Sequence, residues 1–189
     1  LDRNFDADLL ARDIGRVFLG VDLECAQCHD HPAIDTYLQQ HYYGINAFLS
    51  RSYLFTNPKN KQKQLGEKAE GDVKFTSVFT QESSQTNPRM LDLPEIPDPS
   101  ESAKQYLVKP DKKSRGVPTY SRRLKLGQAM IAADNIDFRR NIVNRLWAIM
   151  LGRGLVEPLD VRHEQNPPSH PAVLELLAEE FLQHNYDIR

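Results

Sequence analysis

Cys25-Ala26-Gln27-Cys28-His29 is the stretch of this chain that predicts most about its fold and chemistry. It has C-x-x-C-H spacing, and its cysteines are the only 2 among 189 residues. Two thiols about one helical turn apart can each add to a porphyrin vinyl group, and the next histidine can then ligate the iron. The run therefore predicts haem c attached covalently through Cys25 and Cys28, with His29 as proximal iron ligand.

Two other chemistries use the same residue types. In a zinc site, the two cysteines would be joined by two of His29, His31 and His41 in tetrahedral geometry. A dithiol redox pair is typical of a thioredoxin-like fold with alternating strands and helices, an alternation that this sequence lacks. We treat both as alternatives to haem.

The composition bears on partners and location. A net charge of -2 leaves no basic excess for nucleic acid or an anionic membrane. No run approaches the roughly 20 apolar residues of a membrane-spanning helix. The chain lacks an initiator Met, so we expect a piece of a longer protein. Haem attachment of this kind normally takes place outside the cytoplasm, which predicts a periplasmic or extracellular location.

Hydrophobic periodicity divides the chain into three segments. Segment 1–55 is predicted to carry the haem motif between two helices, one capped near Asp6 or Asp8 and one beginning after Asp35 or Thr36. Segment 56–118 is rich in proline and loops, with one strand around Val73 that could pair with residues 89–93. Segment 119–189 is predicted to be helical and to pack on the haem part.

Within segment 119–189, Phe138, Ile142, Leu146 and Ile149 form an apolar stripe that predicts a helix ending at the glycine turn of residues 152–154. A further helix is expected to begin at Pro171. The resulting fold class is mostly α: a cytochrome c-like helical haem domain with a small β element in its loop-rich middle.

The sixth iron ligand is open at this stage. Met90 lies in the loops after the motif, where a methionine ligand would favour electron transfer. His163 and His170 flank a proline-rich turn and are the next candidates, and a site without a sixth protein ligand is the third possibility. His41 and His184 are expected at the surface.

Three further residues are candidates for the walls of a haem pocket. Arg145 could pair with a haem propionate, because arginine forms bidentate bonds with carboxylates. Trp147 and Tyr42 are core residues first and possible neighbours of the porphyrin second.

The chain also resembles a family of secreted planctomycetal proteins of uncharacterised role. The resemblance is carried by four blocks in the first part, Gly20-Val21, residues 25–32, Tyr42-Tyr43-Gly44 and Ala47-Phe48. In the third part it is carried by Asn141, residues 143–147, residues 152–156 and residues 167–171. The first part is similar to the family's cytochrome-c-like domain and the third to the domain that follows it, which implies haem and export but no substrate.

The expected function is electron transfer by a haem domain within a larger secreted protein, with a redox protein or another domain of the parent as partner. A haem peroxidase-like or accessory oxidative enzyme is one alternative, since an open iron site and a nearby acid–base group would permit it. A zinc-stabilised interaction module is the other. Whether the chain is an enzyme stays uncertain, with electron transfer favoured.

Overall fold

A computed structural model describes residues 5–99 and 105–189. Its α-helices are α1 (Ala7–Ile14), α2 (Gln39–Leu49), α3 (Arg122–Met130), α4 (Ile136–Leu151) and α5 (Pro171–Gln183). Between α2 and α3 lie strands β1 (Ser52–Thr56), β2 (Lys63–Glu67), β3 (Val73–Thr76), β4 (Ser83–Thr86), β5 (Tyr106–Val108) and β6 (Val117–Pro118). Within those ranges no helix is both long and apolar enough to cross a membrane.

The prediction of a mostly α haem domain is wrong. The part of the chain that the structure describes is 36% helical and 14% strand, and its strands form small antiparallel sheets. The helices expected in the outer segments do form, but segment 56–118 folds as local strand pairs, β1 with β2, β3 with β4 and β5 with β6. The fold is a mixture of α and β structure.

The pairing predicted for the strand around Val73 is also wrong. β3 pairs in antiparallel register with β4, with Val73 opposite Thr86, rather than with residues 89–93. Met90 and Leu91 are instead buried among the core residues of α1 and α2. The hairpin needs the shorter loop, since Thr76 pairs with Ser83 seven residues further along, and a shorter loop costs slightly less entropy to close.

The first segment begins with a capped helix. The Asp6 carboxylate accepts hydrogen bonds from the N–H groups of Asp8 (2.9 Å) and Leu9 (3.1 Å), at the start of α1. After α1 the chain continues as a π-helical turn, Gly15–Leu19, and Gly20 then ends it with a positive φ of 70°. A Cβ atom at Gly20 would lie 2.7 Å from Asn141 Oδ1, so this position requires glycine for space as well as conformation.

Helix α4 buries polar side chains beside the predicted apolar stripe, of which Phe138 and Ile142 do pack against the hydrophobic clusters. Ile149 is 80% exposed, whereas Asn141 and Asn144 are each 2% exposed. Asn141 donates to the Val17 carbonyl at 2.7 Å. Asn144 exchanges two hydrogen bonds of 2.9 Å with the backbone of Val156, and buried amides of this kind are stable only because their partners are present.

Backbone contacts join the first and third segments directly. Val21 and Val161 form an antiparallel bridge, and the Arg162 N–H donates to the Gly20 carbonyl at 3.0 Å. The Tyr37 hydroxyl donates to the Arg162 carbonyl at 2.8 Å. These contacts fix the side chains of Tyr37 and Arg162 beside one another, where they line a cleft.

A partly buried carboxylate links the middle segment to both of its neighbours. Asp98 pairs with Arg51, which follows α2, and with Arg122, the first residue of α3. The side chains of Arg51 and Arg122 are only 3% and 1% exposed. Burial raises the pKa of Asp98, but hydrogen bonds and charge from Arg122 and Arg51 outweigh it, so the pKa lies below its ordinary value.

We expect Asp98→Ala to lower the free energy of unfolding by about 3–5 kcal/mol, since Arg51 loses its carboxylate partner and Arg122 keeps only the exposed Asp72 at 4.0 Å. Urea unfolding followed by circular dichroism measures this. Glu70→Ala, at an exposed carboxylate of the same segment, is the control and should change stability by no more than about 0.5 kcal/mol. A loss below about 1 kcal/mol for Asp98→Ala, the value of a surface ion pair, would contradict the structural role.

Candidate functional site

The two cysteines lie on one short turn. Cys25–Gln27 forms a 3₁₀ helix, and the Cys28 N–H donates to the Cys25 carbonyl at 3.3 Å. In 3₁₀ geometry the side chains of residues i and i+3 eclipse one another, so we expect the side chains of Cys25 and Cys28 to project from the same side of the turn. Both are free and exposed to solvent. The turn thus presents a dithiol at the surface.

His29 is held beside this turn by two contacts. Its Nδ1 lies 2.6 Å from the Asp30 carbonyl oxygen, an acceptor, so Nδ1 carries the proton of the neutral ring and Nε2 carries the lone pair. Its ring packs against Phe79 with centroids 4.6 Å apart. The β3–β4 hairpin, which carries Phe79, is itself tied to the turn, because the Val78 N–H donates to the Cys28 carbonyl at 3.1 Å.

The prediction of haem c with iron is wrong. Within residues 5–99 and 105–189, no group of three or more His, Cys, Asp or Glu residues is arranged to hold a metal ion. Among the described residues the contacts of His29 are with Asp30 and Phe79 and not with a candidate sixth ligand, and both thiols are exposed to solvent rather than held in an apolar pocket of the kind a porphyrin requires. The residues of the motif do not fit the group, and the four-ligand zinc set is not assembled either.

The candidate ligands and pocket residues have other partners. Met90 is 2% exposed within the first hydrophobic cluster. Tyr42 is fully buried, and its hydroxyl donates to Asp8 Oδ1 at 2.8 Å. Burial and this hydrogen bond raise the pKa of Tyr42 above its ordinary value. Both side chains stabilise the packing of α1 against α2.

The predicted residues of the third segment are also dispersed. Arg145 donates to the Arg16 carbonyl, and Trp147 packs against the cluster formed by α4 and α5. His170 precedes α5, with its Nδ1 3.3 Å from Ser169 Oγ. Of the candidate sixth ligands, His163 alone lines the cleft that lies between the first and third segments.

That cleft has a volume of about 520 Å³, within the range of ligand sites. Its apolar lining includes Val21, Leu23, Leu91, Val156, Pro168 and Leu174. Its polar lining includes Tyr37, His41, Asp92, Asp137, Arg140, Arg162, His163, Glu164 and Glu175. Sequence analysis missed it, because its walls come from all three segments and no local pattern joins them.

His41 was expected at the surface and is instead 2% exposed, whereas His184 is exposed as predicted. The Leu38 N–H donates to His41 Nδ1 at 3.4 Å, which leaves the ring proton on Nε2. Burial lowers the pKa of His41, and the nearby carboxylate of Asp92 opposes that shift without reversing it. The side chain is therefore neutral at pH 7 and presents an N–H donor.

Two parts of the chain match known sequence families. Residues 2–53 match PSCyt2, a protein of unknown function (DUF1549), and residues 122–189 match PSD1, a protein of unknown function (DUF1553). Both fit a planctomycete-type family, and neither description names a cytochrome c. No curated protein and no solved structure matches the chain.

We expect both thiols to react with Ellman's reagent in the folded protein, because Cys25 and Cys28 are exposed. The released chromophore should correspond to two thiols per chain without denaturant, with no further increase when urea is added. Cys25→Ser and Cys28→Ser, taken singly, should each give one. A thiol that reacts only after unfolding would contradict the exposed turn.

We expect the free energy of unfolding to decrease as the pH is lowered, because the buried His41 side chain is then forced to protonate. Because its pKa is lower in the folded chain than the ordinary 6.5, its contribution is complete above pH 6.5 and declines as the pH falls towards the lower folded value. Urea unfolding from about pH 8 to about pH 5 measures the slope. The titration of Asp98 affects stability at lower pH than this, because its pKa in the folded chain lies below the ordinary 3.8.

The matched variant is His41→Asn, whose side-chain oxygen can still accept the Leu38 N–H. Its stability should decline less than that of the wild type over the same pH range, because the remaining histidines are common to both. Equal slopes would show that His41 does not titrate in the manner that its burial requires.

Proposed function

We propose that this chain is a dithiol–disulfide electron-transfer module, with Cys25 and Cys28 as its redox pair. The observation that supports it is the 3₁₀ turn, on which two solvent-exposed cysteines occupy positions i and i+3. This proposal keeps the expected function of electron transfer but replaces the haem by the two cysteines. The two sulfurs themselves supply the redox chemistry.

The geometry suits formation of an intramolecular disulfide. The first and last Cα atoms of such a turn are less than about 7 Å apart, and disulfides form at Cα separations of about 4.4–6.8 Å. One thiolate attacks the disulfide of a partner protein and forms a mixed disulfide, releasing the partner's first thiolate. The second cysteine then displaces the partner's other sulfur, so that two electrons and two protons pass to the partner.

His29 supports the step as a proton acceptor. Its Nδ1–H is engaged by the Asp30 carbonyl, which leaves Nε2 with a lone pair on the residue that follows Cys28. A thiol must lose its proton before it can attack, and the thiolate is the reactive form. An adjacent basic nitrogen therefore favours the reaction.

The fold is not that of a thioredoxin, since its described sheets each contain two strands. The chemistry depends on the two sulfurs and their access to a partner rather than on one particular fold. As part of the proposal, we place the chain within a larger exported protein of the planctomycetal type. A disulfide state persists outside the cytoplasm, and the partner would be a redox protein or another domain of the parent.

Equilibration in glutathione redox buffers tests the proposal. Trapping with an alkylating agent followed by mass spectrometry should show a reversible change between a dithiol and a form lighter by two hydrogens. We expect a midpoint between about −270 and −120 mV, the range of catalytic dithiols.

Cys25→Ser and Cys28→Ser are the matched controls, since each removes one sulfur from the same exposed turn. Each should accumulate only a mixed disulfide with glutathione, because no second thiol is present to resolve it. The proposal fails if the wild type stays reduced in oxidised glutathione, or if it accumulates the same mixed disulfide as the single variants.

A further inference from the structure

The loop of the β3–β4 hairpin exposes two large apolar side chains beside the dithiol turn. Val78 is 52% exposed, and Phe79 is 74% exposed although its ring packs on His29. Residues 77–81 of this loop carry no charged side chain, so the loop offers no ionic contact. Aromatic surface left in water costs free energy that packing against another molecule recovers.

The hairpin is held in a fixed position relative to the two cysteines. The Val78 N–H donates to the Cys28 carbonyl at 3.1 Å. The side-chain amide of Gln39 joins the turn to the hairpin, because its Nε2 lies 3.4 Å from the carbonyl oxygens of both Gln27 and Thr76. The exposed loop is therefore attached to the turn itself rather than only near it.

Tyr43 forms a further link between the turn and the hairpin. Its hydroxyl donates to the Gln27 carbonyl at 3.0 Å, and its ring stacks on Phe75 with centroids 4.6 Å apart and planes inclined by 5°. Contacts of this kind hold the loop in place before any partner arrives. A surface that is already ordered loses little conformational entropy when it binds.

The position of the loop identifies what covers it. A molecule that oxidises the dithiol must bring a disulfide sulfur to Cys25 or Cys28. Val78 is bonded to Cys28, and Phe79 packs on the residue that follows it. The residues that flank the reacting cysteine of a protein disulfide are thereby brought against the loop. Glutathione disulfide reaches the same sulfurs but has no apolar side chain to place there.

We propose that Val78 and Phe79 form a docking patch that selects protein disulfides whose reacting cysteine is flanked by large apolar side chains. The inference rests on the proposed dithiol function, because the partner's disulfide is what approaches the patch. Phe79 supplies most of the apolar contact and Val78 extends it. Neither side chain takes part in the exchange of sulfurs, so the patch determines specificity and not the redox chemistry.

Two blocked peptides test this selection, the disulfide dimers of acetyl-Leu-Cys-Leu-amide and acetyl-Ser-Cys-Ser-amide. The reduced protein gives up two hydrogens and forms its own disulfide, and each peptide dimer is reduced to two thiols. Acid quenching and chromatography of the released thiol give the second-order rate constant. Each value is divided by that of the same peptide with dithiothreitol, which removes differences in the peptides themselves. We expect the leucine peptide to react about tenfold faster.

Variants assign the preference to the patch. Phe79→Ser should reduce the ratio of the two rate constants to below about threefold, whereas Phe79→Leu keeps an apolar side chain and should retain at least about fivefold. Ile149→Ser is the matched control, at an apolar position of α4 that is 80% exposed, and should leave the ratio unchanged. A disturbance of His29 alone would change both rate constants in the same proportion, so the ratio reports on docking.

Thermal unfolding shows first that each variant is folded, and Val78→Ser, which should about halve the ratio, takes the place of Phe79→Ser if that variant is not. Equal normalised rates for the two peptides overturn the docking patch, and so does an unchanged ratio in the folded serine variant. Either result leaves the midpoint in glutathione buffers, and with it the dithiol function, intact. A wild type that forms no disulfide in those buffers overturns both proposals.

Discussion

The pairing of Asp98 with two buried arginines is the constraint on which the assembly of the three segments depends. Arg51 belongs to the end of the first segment, Asp98 to the middle one and Arg122 to the start of the third. A buried guanidinium is tolerated only with a counter-charge and hydrogen bonds. The loop that carries Asp98 is thereby required to run between α2 and α3. The strand pairs of the middle segment are anchored at that point.

The contacts between the first and third segments show the same dependence on specific polar partners. Asn141 meets the carbonyl of Val17, and Arg162 meets the backbone of Gly20. Hydrogen bonds of this kind have strict geometry, so they fix the orientation of α4 more closely than apolar contact alone. The cleft owes its shape to them, because its walls belong to elements that these bonds hold together.

Local sequence patterns predicted where the helices begin and end, but they predicted less well which helix faces are buried. The Asp6 cap, the Gly152 end of α4 and the Pro171 start of α5 are all signals within a few residues of the feature they specify. The buried face of α4 was predicted only in part: Phe138 and Ile142 pack against the clusters, but Asn141 and Asn144 are buried and Ile149 is exposed. Their burial is stabilised by distant carbonyl groups that no local window contains.

The candidate sites show the same difference between features that local sequence specifies and features that arise only from tertiary contacts. The cysteine spacing located an exposed dithiol, but spacing alone is compatible with haem, zinc or a disulfide, and only the side-chain environment distinguishes them. His41 and Arg162 lie 121 residues apart in the numbering and meet only in the folded chain. Neither has a sequence signal, because their presence in one cleft is a property of packing.

The contact of Gly20 with Asn141 bears on how the two matched families relate. Gly20 lies in the part that matches PSCyt2 and Asn141 in the part that matches PSD1, yet the amide oxygen fills the space beside the glycine so closely that no side chain fits between them. The stretch that matches PSD1 has a hydrophobic cluster of its own, and this contact holds it against the stretch that matches PSCyt2. Any side chain at Gly20 would displace Asn141, so a change within one matched stretch is transmitted to the packing of the other.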